Sequence, residues 1–519
     1  MRALSALTLA ALAGCGWDHL PQQASTGSEP LWDASDVVPT VDGLYVRLPR
    51  AGALALVKES GASRRIPLGE GRVTRIDAAP NGHTVVAFVE RYRCLSDDAR
   101  VELPSDCAKR DLDVTTEITL VDRGEVTMAQ PLSGAYNELT FSDDGRIAVG
   151  YLDLSQPLEV DSVLNLTGVV VIDLERGTSQ LVPVGFAADH VLFVQDEETG
   201  ATVEAVVVSR NAVAVLDVQD EVPREVVTFP LSLDPDTVVD PVGIDLTPDA
   251  HYALLSARGT SDLYALDLEL HAINIVDLAG QPGAMAVDGP ANRTAFVYPN
   301  LPLVQLLDHR FFDTQTIALD EPMDRIALGD QQAVLWSASG AHDLYRIDTR
   351  STDLVEYRLQ NPATDLFLAP TKEFALVLTR PEGGSGSGVD GLYDVHPGME
   401  VVDLRSERSE PFLLEGQGLG VAFAQDPAGT TLNALVLQQD VDYLFRLDLY
   451  TRQTEEIPLD APAVRIGSMP DGTFFITHDR ALGLVSFLDP DTGEVTTAAG
   501  FAAAGSLDLI ELAASGEEE

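Results

Sequence analysis

Basic residues are scarce in this chain: 33 Lys and Arg stand against 82 Asp and Glu, leaving a formal net charge of -49 over 519 residues. Only three of the 33 are lysines, at positions 58, 109 and 372. A surface of that sign repels phosphate backbones, so nucleic acid is excluded as a partner. Cysteine is equally thin, at three residues, and no Cys-x-x-Cys pair offers a zinc or dithiol site. The Gly-x-Ser-x-Gly elbow, the His-Glu-x-x-His zinc motif and the Walker loop are all missing. Nor is any apolar run long enough to span a bilayer as a helix; the nearest, residues 3–13, is too short. Hydrophobic content of 45% nevertheless provides for a sizeable core, which argues against wholesale disorder.

What is present is a repeated pattern of short strands. Residues 464–497 hold four apolar stretches separated by the turns Pro470-Asp471-Gly472 and Asp489-Pro490-Asp491-Thr492-Gly493. Alternation with period two, punctuated by Gly, Pro and Asp, reads as β-structure. A four-stranded unit that recurs along a chain is a propeller blade, so the expected fold is all-β, a β-propeller. About ten units can be counted: a partial one at 44–68, then 73–132, 138–184, 190–231, 242–278, 284–319, 324–359, 365–414, 420–459 and 464–497. Ten exceeds the usual four to eight blades, which leaves one large ring, two smaller propellers or a misread unit open. The first unit reads one strand short, and Ser506 to Leu512 alternate once more, so the C-terminal strand is expected to join the first unit and close the ring.

Most third strands end in aspartate: Asp122, Asp173, Asp217, Asp267, Asp308, Asp348, Asp403 and Asp448. A carboxylate there accepts backbone amides just beyond it and starts the turn to the fourth strand, which explains the recurrence without chemistry. Two insertions interrupt the pattern, residues 91–115 in the second unit and 382–398, with a Gly-Ser run, in the eighth. Gly416-Gln417-Gly418-Leu419-Gly420 sits between two β units, so it reads as an inter-blade turn and not a phosphate loop.

The N-terminus reads as an address. Met1-Arg2 precede an apolar segment, and Leu12-Ala13-Gly14-Cys15 resembles a bacterial lipobox, in which the cysteine thiol takes a diacylglycerol. That resemblance implies a signal peptide over 1–14 and lipidation at Cys15, hence a membrane partner through the lipid anchor. Gly16 after the cysteine favours the outer membrane. The rest of the layout is a flexible tether over 15–39, the propeller over 40–512 and an acidic tail over 513–519. Export to an oxidising compartment leaves Cys94 and Cys107 to form a disulfide, with two free thiols as the alternative.

Residues 275–287 and 295–300, with a Val-Asp strand, a Gly-Gln-Pro-Gly turn and Phe296-Val297-Tyr298-Pro299-Asn300, resemble the YVTN-type propeller repeat. Degenerate Ser-Pro-Asp-Gly-like turns recur at 79–82, 142–145, 247–250 and 469–472. The resemblance implies an architecture and not an activity. Two carboxylate sets, Asp489/Asp491/Glu494 and Asp234/Asp236/Asp240, suit a divalent cation in ligand type but not in spacing, and turn chemistry accounts for them. His342 beside Asp343 is the nearest approach to an oriented base, with no nucleophile to serve. No other cofactor is expected, and three tryptophans are too few for a quinone-dependent propeller dehydrogenase. The expected function is a non-catalytic, membrane-anchored binding or scaffold propeller of the bacterial envelope, meeting an envelope protein or extracellular ligand. The alternative is a lactonase-type propeller hydrolase with a metal in its central channel, since such a site has no linear spacing.

Overall fold

The computed structural model describes residues 37–500, apart from 97–98, 102–106, 109–110, 155–166, 197, 221, 233–237, 330, 384–387, 426–430, 479–482 and 491. Ten sheets follow one another along the chain, each an antiparallel meander whose four main strands pair in sequence order. Blade 1 runs from Val37 to Pro67, blade 2 from Arg72 to Ser133, and blade 10 from Ala463 to Ala499. Blade 6 shows the register of a regular unit: Ala284↔Val297, Arg293↔Asp308 and Leu303↔Ala318 open its three pairings.

Second and third strands are apolar at nearly every position because a neighbouring blade covers each face. In blade 4, Ala205 to Val208 and Val213 to Leu216 are all buried. Fourth strands lie at the rim, and there Thr314 to Ala318 of blade 6 is mostly exposed. The core is therefore divided among the interfaces between blades. Ten apolar clusters correspond one to one with ten interfaces. The cluster that makes the array a ring joins the ends of the chain: Val46, Leu48, Ala53 and Ala55 of blade 1 pack on Phe475, Val485 and Phe487 of blade 10. Gly467 is needed at that seam, since a Cβ there would lie 2.4 Å from the Phe475 ring.

The first blade is not one strand short. Val37–Thr40 is its own innermost strand, paired with Gly43–Leu48, so the folded body begins three residues inside the segment read as a tether. Pro39 disguised it: the missing N–H is tolerated because this strand is an edge facing the channel. Blade 1 thus has four strands without the C-terminal segment, and the ring closes by side-chain packing; residues 506–512 lie outside the described residues. The eighth-blade insertion carries one short helix, Gly388–Val395, which its glycine content hid from sequence reading. Of the stretch read as an inter-blade turn, Gly416 and Gln417 fall in the connector, whereas Gly418, Leu419 and Gly420 open the strand Gly418–Gln425.

All eight aspartates named above end third strands. Asp348 Oδ1 accepts the amides of Arg350 at 2.9 Å and Ser351 at 2.7 Å, and Asp267, Asp403 and Asp448 likewise each take two. In blades 3 and 5 to 9, and after Asp489 in blade 10, the backbone turns left-handed four residues after the aspartate. Gly177 and Gly493 occupy that position in blades 3 and 10, but His271, Phe312, Thr352, Glu407 and Arg452 occupy it elsewhere at φ of 53–69°, where a side chain is disfavoured. The carboxylate holds the turn in place. Asp348→Ala is expected to cost about 1–2 kcal/mol, the usual loss for a helix-cap-like pair of amide bonds, read as a lower urea midpoint; an unchanged midpoint would show that the turn does not depend on its carboxylate.

Candidate functional site at the channel mouth

First strands are innermost and line the central channel. Each first-to-second and third-to-fourth turn opens on one face of the ring, here the lower face; the second-to-third loops and the inter-blade connectors open on the upper face. Contacts between neighbouring blades agree, as in the amide of Val41 donating to the carbonyl of Gly82 at 2.9 Å, which joins the lower turns of blades 1 and 2.

Near the upper end of five first strands the register slips by one residue, leaving Thr74, Val242, Thr364, Leu419 and Val464 unpaired in blades 2, 5, 8, 9 and 10. A bulge re-aims the side chains beside it. Val242, Leu419 and Val464, at these bulges, are 42–45% exposed. Five bulges at one level form a collar at the upper mouth of the channel.

Beside this collar lies a cleft of about 410 Å³, lined by Val37 and Val38 of blade 1, Thr74 to Asp77 and Glu90 of blade 2, Tyr136 and Asn137 of the following connector, and Arg465 of blade 10. Its charges are tied to one another. Arg75 binds Asp77 and reaches Glu138 of blade 3 at 2.7 Å, and it donates to the Asn137 carbonyl at 2.9 Å. Burial opposes the Arg75 charge, but the carboxylates of Asp77 and Glu138 more than offset that cost and hold the guanidinium above its ordinary value. The Tyr92 hydroxyl donates to Glu90; burial, then the Glu90 charge, push the phenol upward, so it stays a donor. Arg465 lies over the Phe475 ring at 5.6 Å, linking the cleft to the closing seam. The inner strands together hold four arginines, at 72, 75, 325 and 465, against five carboxylates, at 77, 138, 245, 288 and 365. The channel wall is therefore near charge balance inside a chain of net charge -49.

Blade 2 adds a projection above the cleft. Its strands Thr84–Cys94 and Leu112–Asp122 are eleven residues each, where second and third strands elsewhere have five to seven, and they stay paired from Thr84↔Asp122 to Cys94↔Leu112. Tyr92, Leu112 and Val114 form a small core of their own with Ala135 and Leu152. Cys94 and Cys107 are joined as a disulfide across a Cα separation of 5.7 Å, which closes the tip. A loop of this length constrains the unfolded chain by about 3 kcal/mol.

The remaining polar groups singled out in the sequence take structural partners. Asp343 pairs with Arg358 at 2.6 Å, not with His342; the His342 ring sits between Glu382 at 2.8 Å and the Leu359 carbonyl at 3.3 Å. His342 and Asp343 therefore form no oriented pair, in line with the reading that gave them no catalytic role. Of the carboxylate sets, Asp234, Asp236 and Asp491 lie outside the described residues, Asp240 is 3.7 Å from Arg210 and 3.5 Å from Arg258, and Asp489 accepts the amide of Thr492 at 3.2 Å. Among the described residues, no three or more His, Cys, Asp and Glu side chains converge as a metal-ligand set. Cys15 lies outside the described residues. The bulges and the Arg75 network were not anticipated from sequence, since the bulges are spread over five blades and Arg75 and Asp77 of blade 2 meet Glu138 of blade 3 only in the fold.

A buried carboxyl on the same face has a structural role. Three residues before the strand-ending aspartate, Gln305, Tyr345 and Glu400 each capture an amide of the preceding connector: Ala279 on Gln305 at 2.9 Å, Asp320 on the Tyr345 hydroxyl at 3.2 Å, and Gln360 on Glu400. Glu400 is 2% exposed, and burial pushes its carboxyl up to about 7, despite the amides of Gln360 and Asn361.

No family model and no curated protein matches the chain. Solved structures resemble it at low identity. Kuenenia stuttgartiensis hydrazine synthase is 14% identical with a TM-score of 0.32, covering 50% of this chain and 81% of that one. Dihydro-heme d1 dehydrogenase NirN in complex with DHE is 16% identical with a TM-score of 0.40, covering 70% and 74%. Saccharomyces cerevisiae Sqt1 is 9% identical with a TM-score of 0.41, covering 75% and 97%. The assignment of ten blades rests on the chain's own sheets.

The Glu400 environment makes a pH-dependent prediction. Its folded value near 7 exceeds the unfolded 4.5, so the fold binds the extra proton and loses stability as pH rises from about 4.5 through 7, by on the order of 3 kcal/mol. Glu400→Gln keeps the acceptor, as Gln305 does in blade 6. The variant is expected to be more stable than the parent at pH 8, with the difference fading by pH 4 in parallel urea titrations; a loss of stability at both pH values would contradict this account.

Proposed function

We propose that this β-propeller is a lipid-anchored protein of the bacterial envelope that binds another envelope component or an extracellular ligand at the upper mouth of its channel, without catalysing a reaction. The observation that carries the reading is the placement of the longest insertions. The loops 95–111, 152–167 and 380–397 all connect second to third strands, so all three leave the ring on the face that holds the cleft and the collar. Long loops gathered on one face of a rigid scaffold are the usual platform for recognition. The mouth's charged groups suit this role: Arg75, Asp77 and Glu138 satisfy one another, and such a fixed network presents charge without losing side-chain freedom on binding.

The lipobox-like Leu12 to Cys15 supports an anchor on Cys15 and an outer-membrane address. The stretch 275–300 supports a YVTN-like reading of the repeats; it spans the last strand of blade 5, the connector and the first two strands of blade 6. A chain this acidic stays soluble beside its own copies and selects against anionic partners.

Two measurements test the reading. Cys15→Ser is expected to move the protein from the membrane fraction to the soluble one, and retention in the membrane would remove the lipid anchor from the account. Crosslinked capture from detergent-solubilised envelope is expected to return one stoichiometric partner, and recovery of the bait alone would contradict the binding role.

A further inference from the structure

The collar holds a second cavity, between blades 5 and 6, and it carries a narrower conclusion that rests on the binding reading above. We propose that this cavity takes a small alkylammonium ion, its charge on Asp245 and its carbon chain against Val242, Pro282 and Met285.

An unanswered charge is the first argument. Asp245 lies on the first strand of blade 5, Pro241–Leu246. Alternation along that strand sends Ile244 and Leu246 into the core shared with blade 4, and turns Gly243 and Asp245 the other way, toward Met285 of blade 6. The Asp245 carboxylate accepts the amide of Leu246 at 2.9 Å, and no Lys, Arg or His among the described residues pairs with it. The wall around it withholds water, so burial holds its carboxyl above the ordinary value, and no neighbouring charge brings it down. Arg258, which lines the adjoining cavity, stands 3.5 Å from Asp240 instead. Arg75, Asp77 and Glu138 satisfy one another across the ring, whereas the charge of Asp245 is left for a cation from outside to meet.

The lining is the second. The cavity holds about 230 Å³, and apart from Asp245 and the Ser256 hydroxyl its side chains are apolar. Ser256 donates to the Gly243 carbonyl at 3.4 Å, which leaves its oxygen to accept from an ammonium group. Val242, unpaired in its bulge, is 42% exposed over the same space. Gly243 keeps that space open, since a Cβ there would come within 3.0 Å of the Ser256 oxygen and 3.5 Å of Met285. A further cavity of about 280 Å³ adjoins across Val242, Pro282 and Gly283, so a carbon chain has room to extend.

The same donors argue against a metal ion. A hard divalent cation asks for roughly six oxygens or more, and one carboxylate with one hydroxyl does not supply them. An organic cation needs one counter-charge and an apolar wall, and both are present.

Isothermal titration of the purified protein with n-pentylammonium, methylammonium and neutral n-pentanol tests the proposal, in about 0.15 M salt to screen the diffuse attraction of the acidic surface. n-Pentylammonium is expected to bind one to one with a Kd of about 1 mM or tighter. Methylammonium, lacking the chain, and n-pentanol, lacking the charge, are each expected to bind about ten-fold more weakly or worse. Asp245→Asn is expected to weaken n-pentylammonium by a similar factor, with a thermal midpoint at neutral pH that is unchanged or higher, because the carboxylate has no internal partner to lose. Binding that survives Asp245→Asn, equal binding of the three probes, or a lowered midpoint in the variant would overturn the proposal. Absence of n-pentylammonium binding by protein that still captures its envelope partner would overturn it too, while leaving the envelope-binding role in place.

Discussion

The packing of blade 1 on blade 10 is the constraint on which everything else in the molecule depends. Each of the other nine interfaces joins blades adjacent in sequence and forms at little cost in chain entropy, but the seam brings together residues more than 400 positions apart, such as Val46 and Val485. Without it the array is an open stack with two exposed apolar faces. With it, ten wedges of about 36° each (360°/10) enclose a channel. Small residues make the fit possible: Ala53 and Ala55 face Phe475 and Phe487, and Gly467 leaves room for the Phe475 ring. The seam also completes the candidate site, because Arg465 arrives beside Val37 and Arg75 only when the ring is shut.

The two faces of the ring are built differently. On the lower face, turns are stabilised locally by aspartates that serve their own backbone, and many of those turns hold a side chain in a left-handed conformation at some cost. That face carries the same device blade after blade. On the upper face regularity breaks down: five first strands bulge, three loops lengthen, one ribbon carries a disulfide, and connectors are held by whichever polar side chain each blade supplies, glutamine, tyrosine or a buried glutamate. Irregularity concentrated on one face of a repeat scaffold is where recognition is expected to be placed.

Much of the architecture was legible in the sequence because it depends on local patterns. The strand-ending aspartates and the Pro-Asp-Gly turns fix strand boundaries by short-range hydrogen bonds, so all eight aspartates sit where alternation and turn chemistry put them. Counting four-strand units reached ten but left a single ring, two smaller propellers or misread units open, and the ten sheets with a closing interface decide for one ring. What could not be read were features set by long-range packing. Val37-Val38-Pro39-Thr40 is too short to alternate and contains a proline, and its pairing with Gly43–Leu48, with Val37 buried at the seam, identifies it as a strand. Arg75 is indistinguishable in sequence from any surface arginine until Glu138, 63 residues on, arrives beside it. His342 and Asp343 are adjacent in the chain and turned to different partners in the fold.

The central claim, that binding takes place at the upper channel mouth, is tested most directly by hydrogen exchange of the protein with and without the partner captured from the envelope. The account predicts slowed exchange in the ends of the blade 2 ribbon nearest Cys94 and Leu112, in the connector at Tyr136–Asn137 and around Arg465, with the lower turns at Asp267, Asp308 and Asp348 unchanged. Protection confined to those lower turns, with the mouth exchanging as before, would contradict it.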